Sequence, residues 1–227
     1  MTESPERPGA PEAPTGPPGG AQPPAAPPPA QPPTAVSPAA DYPVHLDVDR
    51  QEEYSRFMPL IKWLLAIPHF IALFFLGIGA VVVAFISFFA VLFTGRYPEG
   101  MFNFMVGVHR WANRVLGYYL LMVDPYPPYT LDDDPSYPVR FDIEYPEHVE
   151  RWRPLVTWLL VIPYAFVAYF VLLLGHLMSF FAFFTILFTK QFPEGLFNVA
   201  RIGLRWNARA SAYTYWMVTR YPPFVWD

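Results

Sequence analysis

The chain reads Phe-Thr-Gly-Arg-Tyr-Pro-Glu-Gly-Met-Phe-Asn at residues 93–103, and Phe-Thr-Lys-Gln-Phe-Pro-Glu-Gly-Leu-Phe-Asn at residues 188–198. The second stretch begins 95 residues after the first, and the same offset relates the Arg-Trp-x-x-Arg motifs at 110–114 and 205–209. A constant offset without gaps indicates a tandem duplication. We therefore predict two copies of one structural unit.

The composition is typical of a membrane protein. Of the 227 residues, 53% are hydrophobic and only 15% are charged, against about 25% charged in soluble domains. The chain has no cysteine, which excludes disulfides and cysteine metal sites, and its five histidines form no ligand-spaced pair. We expect no metal, no cofactor and no nucleic-acid partner.

Two long apolar runs, residues 63–93 and 158–188, predict membrane-embedded helices. A straight helix of this length would measure about 46 Å, whereas the hydrocarbon core is about 30 Å thick. Basic residues flank both ends of each run, which favours a hairpin with both ends in the cytoplasm. The turns would fall at residues 77–79 and 175–176, where glycine permits a tight reversal. One tilted helix per run is the alternative.

A third helix is predicted after each run, at about 98–123 and 193–218. Each begins with Pro-Glu-Gly, and proline and glutamate suit the first turn of a helix. Polar and basic residues recur every three or four positions on an otherwise apolar sequence, which predicts an amphipathic helix that lies in the membrane interface or packs under the hairpins. Pro68 and Pro163 are expected to kink the first helix of each predicted hairpin.

Short strands are predicted at 44–48 and 139–143, where apolar and polar residues alternate. Proline-rich ends at 126–131 and 221–226 favour extended structure. We expect these pieces to pair in a small sheet outside the bilayer, bringing the two ends of each copy together.

The predicted domain organisation follows from these elements. It consists of a disordered Pro/Ala-rich tail at 1–41, a first membrane repeat at 42–129, an acidic connector at 130–136, and a second membrane repeat at 137–227. The tail lacks the apolar residues needed to offset the entropy of ordering. It is either a solvated spacer or a ligand for a proline-recognising partner.

Paired arginines are the candidate binding residues. Arg110 and Arg114, like Arg205 and Arg209, are four residues apart and share one helix face. Guanidinium groups match phosphate geometry, so each face could bind a lipid headgroup or a small anion. The same positions also allow a structural role, either contacting headgroups nonspecifically or pairing with carboxylates of the repeats. These carboxylates are Glu99, Glu194, Asp47 and Asp142.

Two asparagines and two acidic features complete the candidates. Asn103 and Asn198 lie on the third helices with the arginines and are included in the predicted binding faces. Glu99 and Glu194 are interpreted as helix N-terminal charges that complement the dipole. Residues 132–134, three successive aspartates, are interpreted as a solvated linker rather than a cation site.

The recurring motif resembles a known family. Phe-Thr-Gly-Arg-Tyr-Pro-x-Gly-x-Phe, then Arg-Trp-x-x-Arg and Tyr-Pro-Pro-Tyr/Phe, is similar to the domain of unknown function DUF4389. The resemblance covers residues 42–129 and 137–224, with departures at Lys190, Gln191 and Ile202 in the second copy. It implies a bacterial membrane protein that carries the domain twice, without an established activity.

We therefore expect a mainly α, multi-pass protein of the bacterial cytoplasmic membrane, with both termini in the cytoplasm. No motif of a known catalytic site occurs, so we expect no enzyme. The expected function is a scaffold or accessory subunit of a membrane assembly; the alternative is a lipid-headgroup or small-anion binder or transporter. Expected partners are membrane lipids, other membrane proteins contacted through the aromatic helices and the tail, and a second copy of the chain.

Overall fold

The computed structural model describes residues 41–226, and the predicted tail at 1–41 lies almost wholly outside them. One order of elements occurs twice, with equal lengths in the two copies. The first copy contains β1 (Val44–Val48), α1 (Met58–Leu65), α2 (Ile67–Thr94) and α3 (Glu99–Tyr119). The second contains β2 (Val139–Ile143), α4 (Arg153–Leu160), α5 (Ile162–Thr189) and α6 (Glu194–Thr214).

The predicted hairpins are wrong, because α2 and α5 each continue without a turn for 28 residues. A glycine costs a helix only about 1 kcal/mol, and the flanking residues include no proline that would stop it. Gly175 instead permits close packing, since a Cβ at this position would lie 3.2 Å from Cα of Ala200. Two helical stretches, Met58–Thr94 and Ile162–Thr189, are long and apolar enough to cross a membrane.

The interruption that the prolines predict is confirmed. The helix breaks at Ala66 and at Val161, two residues before Pro68 and Pro163. Proline donates no hydrogen bond, and its ring clashes with the carbonyl group four residues earlier. The break makes α1 and α4 separate helices of eight residues.

The third helices are confirmed, although they end earlier than predicted. Their ends are followed by residues with positive φ, Leu121 at 63° and Trp216 at 58°. The preceding connections also match: Gly95 and Lys190, which end α2 and α5, both adopt the left-handed conformation. The second copy therefore keeps this turn geometry without glycine.

Both predicted strands are confirmed, but their pairing differs from the expectation. β1 pairs antiparallel with β2, with Leu46 opposite Phe141, so the sheet joins the two copies rather than the two ends of one copy. The segments at 126–131 and 221–226 form no strand. Their prolines cannot donate to a ladder, and their aromatic rings pack against α2, α3, α5 and α6 instead.

The elements form three layers. One side of α3 faces α2, where Ser87 Oγ lies 3.5 Å from Met101 Sδ. The opposite side faces β2, where a Cβ on Gly117 would lie 2.9 Å from Val139. The second copy has the same arrangement with exchanged partners, because α6 packs between α5 and β1. Each strand therefore rests on the third helix of the other copy.

Candidate functional site

Arg110 joins α3 to the strand of the second copy. Its Nε donates to the carbonyl oxygen of Phe141 at 3.0 Å, and its Nη2 donates to Asp142 Oδ1 at 3.1 Å. A third bond runs from Nη1 to the carbonyl oxygen of Leu131 at 3.1 Å. The side chain is only 12% exposed, so protein groups rather than water satisfy most of its donors.

Arg205 makes the equivalent contacts in the other direction. Its Nε donates to the carbonyl oxygen of Leu46 at 2.7 Å, and its Nη2 donates to Asp47 Oδ1 at 2.7 Å. Leu46 and Asp47 are the counterparts of Phe141 and Asp142. We call the bonds of Arg110 and Arg205 to these strands the arginine clamps. The predicted pairing of the arginines with Asp47 and Asp142 is confirmed.

The second arginine of each pair is buried under a tyrosine. Arg114 lies 5.9 Å from the ring centre of Tyr137, and Arg209 lies 5.7 Å from that of Tyr42. Arg114 Nη2 also donates to the carbonyl oxygen of Asp132 at 3.1 Å. Burial raises the pKa of both tyrosines, so each ring is neutral and presents its face to a cation.

The two asparagines lie on the same helices as the arginines but make no hydrogen bond to them in the described residues. Asn103 is exposed and Asn198 is half-buried on the same helices. Each precedes its arginine by seven residues, a spacing that keeps it on the same side of the helix. No hydrogen bond in residues 41–226 joins either asparagine to an arginine. Binding of an anion by these six residues stays a prediction.

A buried ion pair that the sequence analysis missed distinguishes the copies. Lys62 is 1% exposed, and its Nζ donates to the carbonyl oxygen of Val123 and contacts Asp124 Oδ1, both at 2.7 Å. The second copy has Thr157 and Thr219 at the positions of Lys62 and Asp124. The signal was present in the sequence, since this lysine stands immediately before an apolar run and the equivalent residue in the second copy is Thr157.

In an apolar sequence of this kind, the tryptophans at 63, 111, 158, 206 and 226 are predicted to be interfacial anchors, and this is wrong for two of them. Trp111 and Trp206 are buried, and Trp111 Nε1 donates to His69 Nδ1 at 3.1 Å. Trp63 and Trp158 are exposed, as anchors should be.

A cavity also distinguishes the copies. It has a volume of about 460 Å³ and lies between α1, the end of α3, and α5. Its polar lining residues include His176 and Ser179, whose counterparts Val81 and Ala84 are apolar. The sequence predicts a turn at residues 175–176, but α5 continues through His176.

Comparison with known proteins gives a family and no relative of known function. No curated protein and no solved structure matches the chain. The model of the domain of unknown function DUF4389 matches residues 59–130 and 151–225. These two segments include nearly all of α1 to α3 and α4 to α6. They also contain the clamp arginines and most of the proline-rich ends at 126–131 and 221–226. The chain therefore belongs to the DUF4389 family and carries two copies of its domain.

Proposed function

We propose that this chain is a non-catalytic membrane protein that lies in one leaflet and serves as a scaffold or accessory subunit of an assembly at the bacterial cytoplasmic membrane. One observation carries the proposal: α1, α2, α4 and α5 together present a continuous exposed apolar surface, here called the apolar face. Phe74, Phe75, Phe166 and Phe180 are among its side chains, each 59% exposed or more. Neither α2 nor α5 contains Asp, Glu, Lys or Arg.

The exposure of these helices favours lipid contact. Only 17% and 28% of the most apolar windows of the two long stretches are buried, whereas the core helix of a soluble protein would be mostly buried. Exposed apolar patches on soluble monomers reach a few hundred Å². An apolar face that includes two helices of about 42 Å each exceeds that size.

The layer order favours helices in the plane of the membrane over helices that cross it. The strands run beside α3 and α6, so a crossing orientation of α2 and α5 would carry the strands to bilayer depth. The side chains of Asp47, Asp142 and Glu144 are 60%, 68% and 71% exposed. Exposed carboxylates at that depth are costly, whereas an in-plane orientation leaves them in water.

Cations at the rim support the same orientation. Arg56 and Arg151 occupy equivalent positions just before α1 and α4, and both are exposed. Arg96 and Lys190 follow the other ends of the apolar helices and are exposed as well. Basic side chains around an apolar surface can contact anionic headgroups while the apolar side chains enter the acyl region.

The orientation can be tested with two equivalent positions. Tyr54 N donates to the carbonyl oxygen of Lys190, and Val149 N donates to that of Gly95, so α2 and α5 run antiparallel. Arg96→Cys and Gln191→Cys therefore place thiols at opposite ends of the apolar face, in a chain without native cysteine. We expect a membrane-impermeant maleimide to label both from the cytoplasmic side only.

Val82→Cys is the matched control. Val82 is exposed on the apolar face, so this thiol should react only after the membrane is dissolved. Labelling of the 96 and 191 positions from opposite sides of the membrane would contradict the in-plane orientation and favour the multi-pass alternative.

The scaffold role is tested by native mass spectrometry of the protein isolated from its own membrane. We expect a protein partner at fixed stoichiometry, held by the polar face that carries the strands. Glu147→Lys changes an exposed charge and should weaken the association. Val82→Ala on the apolar face is the control and should leave the association unchanged. Isolation with lipid alone would contradict a scaffold.

One observation favours the second candidate, a headgroup or small-anion binder. Nε and Nη1 of Arg114 are buried, and neither has a hydrogen-bond partner among residues 41–226. A small anion would satisfy these donors. The same experiment separates the candidates, because Arg114→Gln should then remove a bound anionic species. Unchanged anion content in this variant would contradict the binder.

A further inference from the structure

The cavity between α1, the end of α3, and α5 opens toward the apolar face. Trp63 and Phe180 line it and are 59% exposed, and Phe183 is half-buried behind them. In the proposed in-plane orientation, on which this inference rests, the cavity opens into the leaflet. Any occupant would therefore arrive from the membrane.

The second copy fills the equivalent space with its own side chain. Trp216 stands where the first copy has Leu121, and its ring centre lies 5.8 Å from that of Phe88, the counterpart of Phe183. Both residues adopt the same left-handed backbone conformation, so the difference lies in the side chain alone. The first copy lacks a side chain of this size at a position where the fold accommodates one.

Two polar side chains, His176 and Ser179, line the cavity. Ser179 is 5% exposed, and its Oγ has no partner among the described residues. His176 Nδ1 lies 2.9 Å from the carbonyl oxygen of Leu172. A carbonyl oxygen only accepts, so Nδ1 donates in this contact, and Nε2 is the ring nitrogen that remains as a possible acceptor.

The lining selects an uncharged headgroup. No Lys or Arg is among the described residues that line the cavity, and nearby Lys62 is already bound to Asp124 and Val123. A phosphate group would lose its hydration without a cation to compensate. A neutral lipid with a hydroxyl group and an ester carbonyl could hydrogen-bond to both polar side chains at little desolvation cost.

We propose that this cavity binds the glycerol end of a diacylglycerol, whose acyl chains remain in the leaflet. The lipid hydroxyl group donates to His176 Nε2, and Ser179 Oγ donates to an ester carbonyl oxygen. A volume of about 460 Å³ holds a glycerol group and the beginning of a chain, and not the whole lipid. An in-plane α5 lies near the boundary of headgroups and acyl chains, which is the depth of the glycerol group.

The test uses a diacylglycerol with a photoreactive diazirine in one chain, mixed with the full-length protein in an uncharged detergent. We expect labelled peptides from the region of α5 around His176, and competition by unlabelled diacylglycerol but not by phosphatidylglycerol. Leu121→Trp copies the second repeat and should reduce labelling at least about tenfold. Ser179→Ala copies Ala84 and should reduce it about fivefold, the effect of one lost hydrogen bond.

Trp216→Leu is the matched control. It opens the equivalent space in the second copy, where Val81 and Ala84 replace the polar pair, and should produce no labelled peptide in α2. Labelling that survives Leu121→Trp, or equal competition by phosphatidylglycerol or by an isoprenoid alcohol, would overturn the proposal. Because binding is measured in detergent, this result is independent of the cysteine test of orientation.

Discussion

The two copies agree in how they hold the strand pair and differ in what they bury beside α1 and α4. Arg110 and Arg205 reach the same backbone and carboxylate atoms on opposite strands. Beneath the apolar face, Lys62 and Asp124 correspond to two threonines, and Leu121 corresponds to Trp216. The shared contacts join the copies, whereas the differences concentrate in the first copy, around the cavity.

The largest expected effect comes from the buried ion pair. Lys62→Thr leaves Asp124 without its cation and should lower the free energy of unfolding by about 3–5 kcal/mol. The double variant Lys62→Thr, Asp124→Thr copies the second repeat and should recover much of the loss. Chemical unfolding in mild detergent measures both. A double variant no more stable than the single variant would show that the copies are not interchangeable here.

The arginine clamps should be the next largest effect. Arg205→Lys keeps the charge but loses the fork geometry, and should lower the free energy of unfolding by about 2 kcal/mol. Arg110→Lys should cost a similar amount, because Arg110 Nε and Nη2 make the equivalent bonds to Phe141 and Asp142. The same unfolding measurement compares the variants, and unchanged stability in either variant would refute the clamp.

Substitutions at the left-handed residue that ends α2 or α5 should change the stability by less, and with opposite sign in the two copies. Lys190 has a φ of 61°, so Lys190→Gly should raise stability by about 1 kcal/mol. Gly95→Lys should be destabilising, because a Cβ at Gly95 would lie 2.8 Å from His148 Cε1. Thermal unfolding of both variants provides the comparison, and stabilisation by Gly95→Lys would refute it.

The smallest expected effect is a pH dependence at the edge of the sheet. The hydrogen bond from Arg140 lowers the pKa of Asp49 below its ordinary value of 3.8. The resulting stability is present above pH 3.8 and is lost as pH falls through the lower folded pKa. Asp49 is 58% exposed, so the contribution is about 0.5 kcal/mol or less. Asp49→Asn should remove this part of the acid dependence, measured by unfolding between pH 2 and 7.

The sequence was sufficient for the repeat, the strands and the third helices because these depend on local patterns. The constant offset identifies the repeat, alternation identifies residues 44–48, and Pro-Glu-Gly marks the start of α3. The hairpin prediction failed because it took each run as too long for one crossing and placed both of its basic flanks on the same side of the membrane. One side of α2 and α5 instead packs on α3 and α6, and a glycine such as Gly175 serves that packing.

The candidate site was predictable only in part. The spacing of Arg110 and Arg114 correctly placed them on one face of a helix, and Asp47 and Asp142 were named among possible partners. Their connection across the two copies depends on which strand pairs with which, and β1–β2 pairing is a long-range choice that periodicity does not encode. The cavity depends on Leu121 being smaller than Trp216, a difference that has meaning only once α5 is placed against α1.

Because each strand packs on the third helix of the other copy, the order of synthesis affects when the sheet can form. β1 is held by Arg205, which lies 159 residues after its bonding partner Leu46. At about 5–20 residues per second, the first copy must wait on the order of ten seconds or more for the helix that holds its strand. During that time α1 and α2 are complete and apolar. In the proposed membrane location, these helices can therefore enter the bilayer before the sheet closes, and we expect the first copy expressed alone to recruit a second chain for its unpaired strand.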